Sequence, residues 1–417
     1  MSRQPPDPHE VVAGLLADHR LLAACTARDM GSVFRLLNSR GVSTRRIAAT
    51  VNITQGRLYD YMTGKSRVEK LTTFEQIADG LHIPGHLLGL ARRGWEPTVV
   101  APTISAIAAP DGDDVDAMEA FRSADRQAGG GRLYGAVVRH LSDHVAPRLV
   151  EATGGTQVFA AAAALTEMAG WMAHDSGRDD RAEQHFTRAL PLARVSGDHP
   201  LAAHIAASNS HLSLQVGDPA QAAHWAQTGL ELASLGPRIP YLVARLHAMQ
   251  ARALAAADQP APAARALDDA YRALGQPSDI DHPWLSAFDP AALASEAALT
   301  WRDLHQLDKA LKHAQEAVSL RECGRARSLA LSRITLAGVL IRRKELEEAV
   351  TVGHELLATS PTLGSVRVLH QLDDLRSLLE PHSAHGPVRE YLVRFADARR
   401  SRLLLLADIM TPSGGTG

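Results

Sequence analysis

RAEQHFTRALPLA (residues 181–193) returns in outline four more times, as QAAHWAQTGLELA (221–233), PAARALDDAYRAL (262–274), KALKHAQEAVSLR (309–321) and EAVTVGHELLATS (348–360). Aligned on their small residues, the five segments place alanine at 182, 222, 263, 310 and 349, spaced 40, 41, 47 and 39 residues apart. Each follows a short polar turn (SGRDD, QVGDP, AADQP, HQLD and RRKELE) and an upstream stretch of helical character. A recurring period of this length marks stacked supersecondary units, each burying its apolar face against the next. Alanine at the repeated position lets paired helices approach closely. Aromatic residues are only 4% of the chain, which suits packed helices better than sheets. The reading predicts an all-α protein whose larger part, residues 115–408, is a helical repeat domain.

Working outward, the 417 residues exceed one ordinary domain. The overall charge of −2 excludes a wholly basic, histone-like protein. Charge is nevertheless segregated: residues 1–97 carry net +4 and the remainder −6. Within 35–70, Arg35, Arg40, Arg45, Arg46, Arg57, Lys65, Arg67 and Lys70 face only Asp60 and Glu69. Such a patch suits phosphate, although a solvated charged face would look the same. Between the two parts lies GWEPTVVAPTISAIAAPDGDDVD, rich in proline and small residues, which reads as a linker over 94–114. Residues 1–28 are expected to form an N-terminal helical extension, and 409–417 a flexible tail. The two cysteines, Cys25 and Cys323, cannot make a disulfide framework. With MSRQPPDPHE lacking a charged-then-apolar leader and no apolar run near about 18 residues, a cytoplasmic protein without a membrane partner is expected.

Residues 29–93 are built of short punctuated helices. DMGSVFRLLNSRG ends at Gly41, Ser43 stands where an N-cap belongs before TRRIAATV, Asn52 tolerates a turn, and Thr54 can cap TQGRLYDYMTG. LTTFEQIADGL follows and is expected to stop near Gly80 and Pro84. Two short helices with a brief turn between them match a helix-turn-helix unit. The stretch STRRIAATVNITQGRLYDYMTGKS…LTTFEQIADGLHIPGHLLGL resembles the lambda-repressor-like (Xre/Cro) helix-turn-helix family. Ile47 and Ala48 match its first helix, Leu58, Tyr61 and Gly64 its recognition helix, and Phe74, Ile77, Ala78, Leu81 and Ile83 its supporting core. The resemblance implies binding of a double-stranded DNA operator with the second helix in the major groove. Carried over residue by residue, Thr54, Gln55, Gly56, Arg57 and Tyr59 would face bases. Gln55 suits adenine and Arg57 guanine. Ser43, Thr44, Arg45, Arg46, Lys65 and Arg67 would hold phosphates. The sequence departs from the family at Thr44, where many relatives carry glutamine, and Gly56 lowers helix propensity.

The repeats resemble tetratricopeptide repeats in a lengthened form. Gly170 stands at the family's early small position, and Phe186 and Ala189 at its later ones. That resemblance implies a TPR-like α-solenoid with a concave groove lined by the upstream helices. Trp171, His174, His204, His211, Arg245 and Arg252 are the expected lining residues, the two arginines able to hold a carboxylate or phosphate. The arrangement resembles actinobacterial Xre–tetratricopeptide regulators. It implies a homodimer whose repeat groove takes a small-molecule, peptide or protein effector. The alternative is an interaction scaffold whose basic head docks a protein.

No motif for catalysis emerges. His140 and His144 share a helix face but lack the glutamate of zinc hydrolases. AGGGR (128–132) lacks the Walker lysine, and no G-x-S-x-G elbow occurs. The expectation is therefore a non-enzyme with no metal and no cofactor. The last helix, VREYLVRFADARRSRLLLLADIM, is expected to cap the solenoid or contact a second copy.

Overall fold

A computed structural model describes residues 7–16, 18–68, 70–90, 93, 95, 114–150, 155–277, 280–321, 325–359 and 363–410. Most of the expected linker, Cys323 and residues 411–417 lie outside them. Every regular element among the described residues is helical, and the chain divides into two compact units, Met1–Thr103 and Ile104–Gly417.

The first unit holds α1 (Pro8–Leu15), α2 (His19–Thr26), α3 (Met30–Ser39), α4 (Thr44–Thr50), α5 (Gln55–Met62) and α6 (Leu71–Leu81), then a short 3-10 turn at Gly85–Leu88. Its core joins Val12, Leu15, Leu21 and Cys25 to Phe34, Leu37, Ile47, Leu58, Ile77 and Ile83. The N-terminal stretch is helical as expected, but it shares the core of the head. Burial pushes the Cys25 thiol up to about 11, which suits a packing role. Gly80 does not stop α6. A Cβ there would lie 2.4 Å from the Thr50 carbonyl oxygen, so this glycine permits close helix approach. The stop is His82, which adopts a left-handed conformation at φ 54°.

The second unit begins with α7 (Asp114–Ala128), α8 (Tyr134–His140) and α9 (Ala146–Val150). Five helical hairpins follow: α10 (Gly155–Asp175) with α11 (Asp179–Ser196), α12 (His199–Gln215) with α13 (Pro219–Ala233), α14 (Pro240–Ala256) with α15 (Pro260–Leu274), α16 (Pro290–Asp303) with α17 (Leu307–Leu320), and α18 (Ala326–Arg342) with α19 (Leu346–Thr359). Then come α20 (Val366–Leu379), α21 (Gly386–Leu405) and α22 (Ala407–Met410).

The five aligned alanines are buried, at 0%, 0%, 0%, 0% and 1% exposure in chain order. Each hairpin turn carries one left-handed residue five positions before its alanine: Gly177, Gly217, Asp258, His305 and Lys344. Gly170 packs where a Cβ would lie 2.4 Å from the Phe186 ring, so the two positions matched to the repeat pattern meet each other. The fold is all-α and solenoid-like. The 47-residue spacing accommodates a connection that lays Trp284 and Leu285 into the core around α10 and α12.

The superhelix also returns on itself. α20 packs against α10, and α18 against α7. Asp175, at the end of α10, accepts from Gly130 N–H (2.9 Å), from the Ser365 hydroxyl (2.6 Å) and from Arg327 (3.1 Å). Arg327 also forks onto Asp125.

Candidate nucleic-acid interface and solenoid cavity

In the first unit the α4–turn–α5 segment is fixed by local chemistry. The Ser43 hydroxyl accepts from Arg46 N–H (3.3 Å), and the Thr54 hydroxyl accepts from Arg57 N–H (3.3 Å). These are the N-caps expected at both residues. Asn52 takes the left-handed turn conformation at φ 49°. Gln76 on α6 clamps the turn, its amide donating to the carbonyls of Val51 (2.9 Å) and Asn52 (2.8 Å). Sequence reading missed this brace, since nothing in a helix-face pattern marks Gln76 as a turn clamp.

The inner face of α5 is locked by buried Leu58 and Tyr61. Its outer face presents Gln55, Gly56, Arg57 and Tyr59, all exposed, with Tyr59 at 66%. Thr54 is exposed as well. Arg57 Nε donates to the Tyr61 hydroxyl (2.9 Å) and its guanidinium lies 5.9 Å from that ring, which holds it along the helix.

The expected phosphate set is less uniform. Ser43, Arg45, Lys65 and Arg67 are exposed, whereas Thr44 and Arg46 are half-buried. Arg46 approaches Asp7 (3.8 Å) and Lys65 approaches Asp60 (3.5 Å). Arg40 pairs with Asp18 (3.3 Å) and Arg35 with Asp29 (3.9 Å). Carboxylates outside the 35–70 window thus answer part of its charge. Arg45, Arg57, Arg67 and Lys70 form no ion pair among the described residues. Arg67 also borders a hollow of about 300 Å³ with Arg28, Asp29 and Arg35, and Arg28 is a cation that sequence reading did not place in the basic patch.

In the second unit the first helix of each hairpin faces inward, around two adjoining cavities of about 860 and 760 Å³. All six expected lining residues are here. Trp171 and Arg245 border both cavities, His211 and Arg252 the larger, and His174 and His204 the smaller. The two arginines do not act as a free pair. Arg252 is bound to Glu296 (2.7 Å). Arg245 donates to a ring nitrogen of His204 (2.9 Å) and to the Ser208 hydroxyl (3.2 Å), and lies 5.9 Å from the Trp171 ring.

Arg367, from α20, reaches across to His211 (3.2 Å). Arg321 and Arg325 share Asp289 at 3.5 and 3.1 Å. These three arginines come from distant sequence and were not foreseen in the cavity wall. Burial pushes His174, His204 and His211 below the ordinary imidazole range, so all three are neutral near pH 7. The same cause lowers Arg245, Arg321 and Arg367.

The rings of His140 and His144 lie 5.0 Å apart between centroids, tilted by 36°, with His144 inside a π-helical turn, Leu141–Val145. Among the described residues no three His, Cys, Asp or Glu side chains converge as a metal site would require. The last long helix buries Val388, Tyr391 and Phe395 and exposes Val393, Leu404 and Leu405. No helix among the described residues is long and apolar enough to cross a membrane.

No protein-family model matches the chain, and no curated protein matches it. Among solved structures, the crystal structure of BtubC (BKLC) from P. vanneervenii matches at 16% identity and a TM-score of 0.39, over 55% of this chain and 90% of that one.

Proposed function

We propose that this chain is a DNA-binding transcriptional regulator of the Xre type. In this reading the first unit reads an operator and the TPR-like second unit senses an effector and mediates dimerisation. One observation carries it. The exposed row Gln55, Arg57 and Tyr59 stands on the outer face of a capped helix whose inner face is locked into the core. Side chains able to fork onto base edges are thus held on a rigid element, and Arg45 and Lys70 form no ion pair among the described residues, while Arg67 has Asp29 in electrostatic reach. In such a dimer two heads would engage half-sites about 34 Å apart, and an effector preferring one solenoid curvature would shift their spacing. The chemistry is recognition, and the reading assigns no catalytic step.

The test is selection of genomic fragments by the purified chain at two salt concentrations, beside Gln55→Ala and Arg57→Ala. A recurrent inverted repeat is expected, with each variant weakened about 5- to 150-fold on it. Binding should also fall steeply with salt. Fragments without a common sequence, bound equally by the variants, would overturn the reading. The head would then be a surface that docks a protein.

A further inference from the structure

The solenoid cavity has no part in base reading, yet its wall is chemically biased. Seven arginines border the larger lobe against three carboxylates, Asp289, Glu296 and Asp374. Glu296 sits at the focus. Arg252 binds it directly at 2.7 Å, and Arg245, Arg321 and Arg367 all feel its charge. Glu167, Asp289 and Asp175 answer part of the charge of Arg245, Arg321 and Arg367, yet seven arginines against three carboxylates leave the wall of this half-open recess positively biased.

Arg321 is ion-paired with Asp289 at 3.5 Å, whereas the hydrogen bonds of Arg245 and Arg367 go to neutral groups. Arg245 is answered by His204 and Ser208, and Arg367 by His211. Buried Nε atoms of Arg252 and Arg367 have no hydrogen-bond partner among the described residues. Buried donors without acceptors are costly and are rarely left so. A cavity of about 860 Å³ has the size of small-metabolite sites.

We propose that the larger lobe binds a small molecule carrying at least two oxyanion charges, a phosphorylated or polycarboxylated compound, gripped by Arg245, Arg252, Arg321 and Arg367 around Glu296. Guanidinium forks match both oxyanion types, and several converging forks select for multiple charge. The return of α20 onto α10 favours a compact occupant over an extended chain. The lowered Arg245 and Arg367 fit this reading, because an anion would compensate cations that burial now penalises. The inference supplies the ligand class for the sensing role proposed above. It is read without DNA, so either reading can fail alone.

The experiment is calorimetric titration of the full chain with pyrophosphate and with citrate at constant ionic strength, glucose being the neutral control. One-site saturable binding of at least one anion is expected; pyrophosphate alone would indicate a phosphorylated ligand and citrate alone a polycarboxylate. Arg367→Met should weaken binding about tenfold or more, and Glu296→Gln, which removes the competing charge, should tighten it. Arg45→Ala and Arg57→Ala, in the other unit, should leave it unchanged. If Arg367→Met fails to fold by circular dichroism, the opposite-signed Glu296→Gln variant decides. No saturable binding of either anion overturns the proposal. So does binding lost in the head variants and kept in Arg367→Met, or binding not tightened by Glu296→Gln.

Discussion

Both units carry arginine beyond what their neighbouring carboxylates answer, and they dispose of it differently. In the head, Arg45, Arg57 and Arg67 stand exposed, and the core beneath is wholly apolar. In the repeat unit, Arg245, Arg252 and Arg367 border a cavity and are hydrogen-bonded to histidine, serine and Glu296, with Glu167 and Asp175 in electrostatic reach. Exposed charge costs little to hold and attracts at long range, which suits a large polyanion. Charge turned inward is expensive to hold unless something fills the space between. The contrast makes the head a surface and the repeat unit a container, and each variant below tests one side of it.

The largest effect is expected where the container is fastened. Asp175 joins α7, α10, α18 and α20 through Arg327, Ser365 and the backbone preceding α8. Asp175→Ala leaves Arg327 half-compensated and two donors unmet. It should destabilise the repeat unit by roughly 3 kcal/mol, read from urea unfolding followed through Trp171 and Trp284 fluorescence. An unchanged midpoint would mean that the return of α20 onto α10 contributes nothing. Among the described residues the head has no buried carboxylate, and its amide exchange should be unaffected.

The matching break in the head is smaller. In Gly80→Ala the new methyl would meet the Thr50 backbone at 2.4 Å, and overpacking of this kind costs about 1–3 kcal/mol. Faster amide exchange across α4 and α6 would register it. Gly56→Ala is the control: nothing lies within 4 Å, so better helix propensity should stabilise α5 by about 0.5–1 kcal/mol.

Acid should separate the units again. His204 and His211 are held well below the ordinary imidazole range, burial first and then nearby Arg245 and Arg367 respectively. The Glu167 carboxylate, 3.6 Å from His204, does not reverse this. In the native unit these two rings therefore resist protonation while the unfolded chain takes up protons below about pH 6.5. Stability is full above that pH and falls beneath it, by up to about 1.4 kcal/mol per pH unit for each group. Denaturation midpoints between pH 7 and 5 should fall, and a His204→Gln/His211→Gln double variant should flatten the slope. His82 in the head is pushed the same way but is exposed, so exchange there should change less.

What the sequence made legible follows from range. The caps at Ser43 and Thr54, the core positions Ile47, Leu58 and Ile77, and the repeated alanines are local or periodic signals, and the structure places them as expected. Trp171, His211 and Arg245 could be assigned to the inner wall because upstream helices face inward in such a stack. Arg321, Arg325 and Arg367 could not, since their place depends on the superhelix returning on itself. Asp175, Ser365 and Arg327 carry no mark in sequence that they would meet across some 150 to 190 positions. The end of α6 falls between Gly80 and Pro84 as expected, but the packing role of Gly80 was not legible, because only the approach of Thr50 reveals it.

The smallest effect concerns the hairpin turns, where the repeat period is written in backbone conformation. Gly177 and Gly217 adopt the left-handed turn without a Cβ, but Asp258, His305 and Lys344 hold it at φ 52°, 57° and 65°. The left-handed region disfavours side chains by about 1–2 kcal/mol, part of which glycine returns through its greater freedom when unfolded. Lys344→Gly should therefore stabilise the repeat unit by about 0.5–1 kcal/mol, and Gly217→Ala should weaken it by a similar amount although nothing crowds its Cβ position. Opposite shifts in urea midpoint at two equivalent turns would show that backbone handedness fixes the hairpins. A loss of stability in Lys344→Gly would mean that contacts of the lysine side chain hold that turn, and the five turns would no longer be physically equivalent.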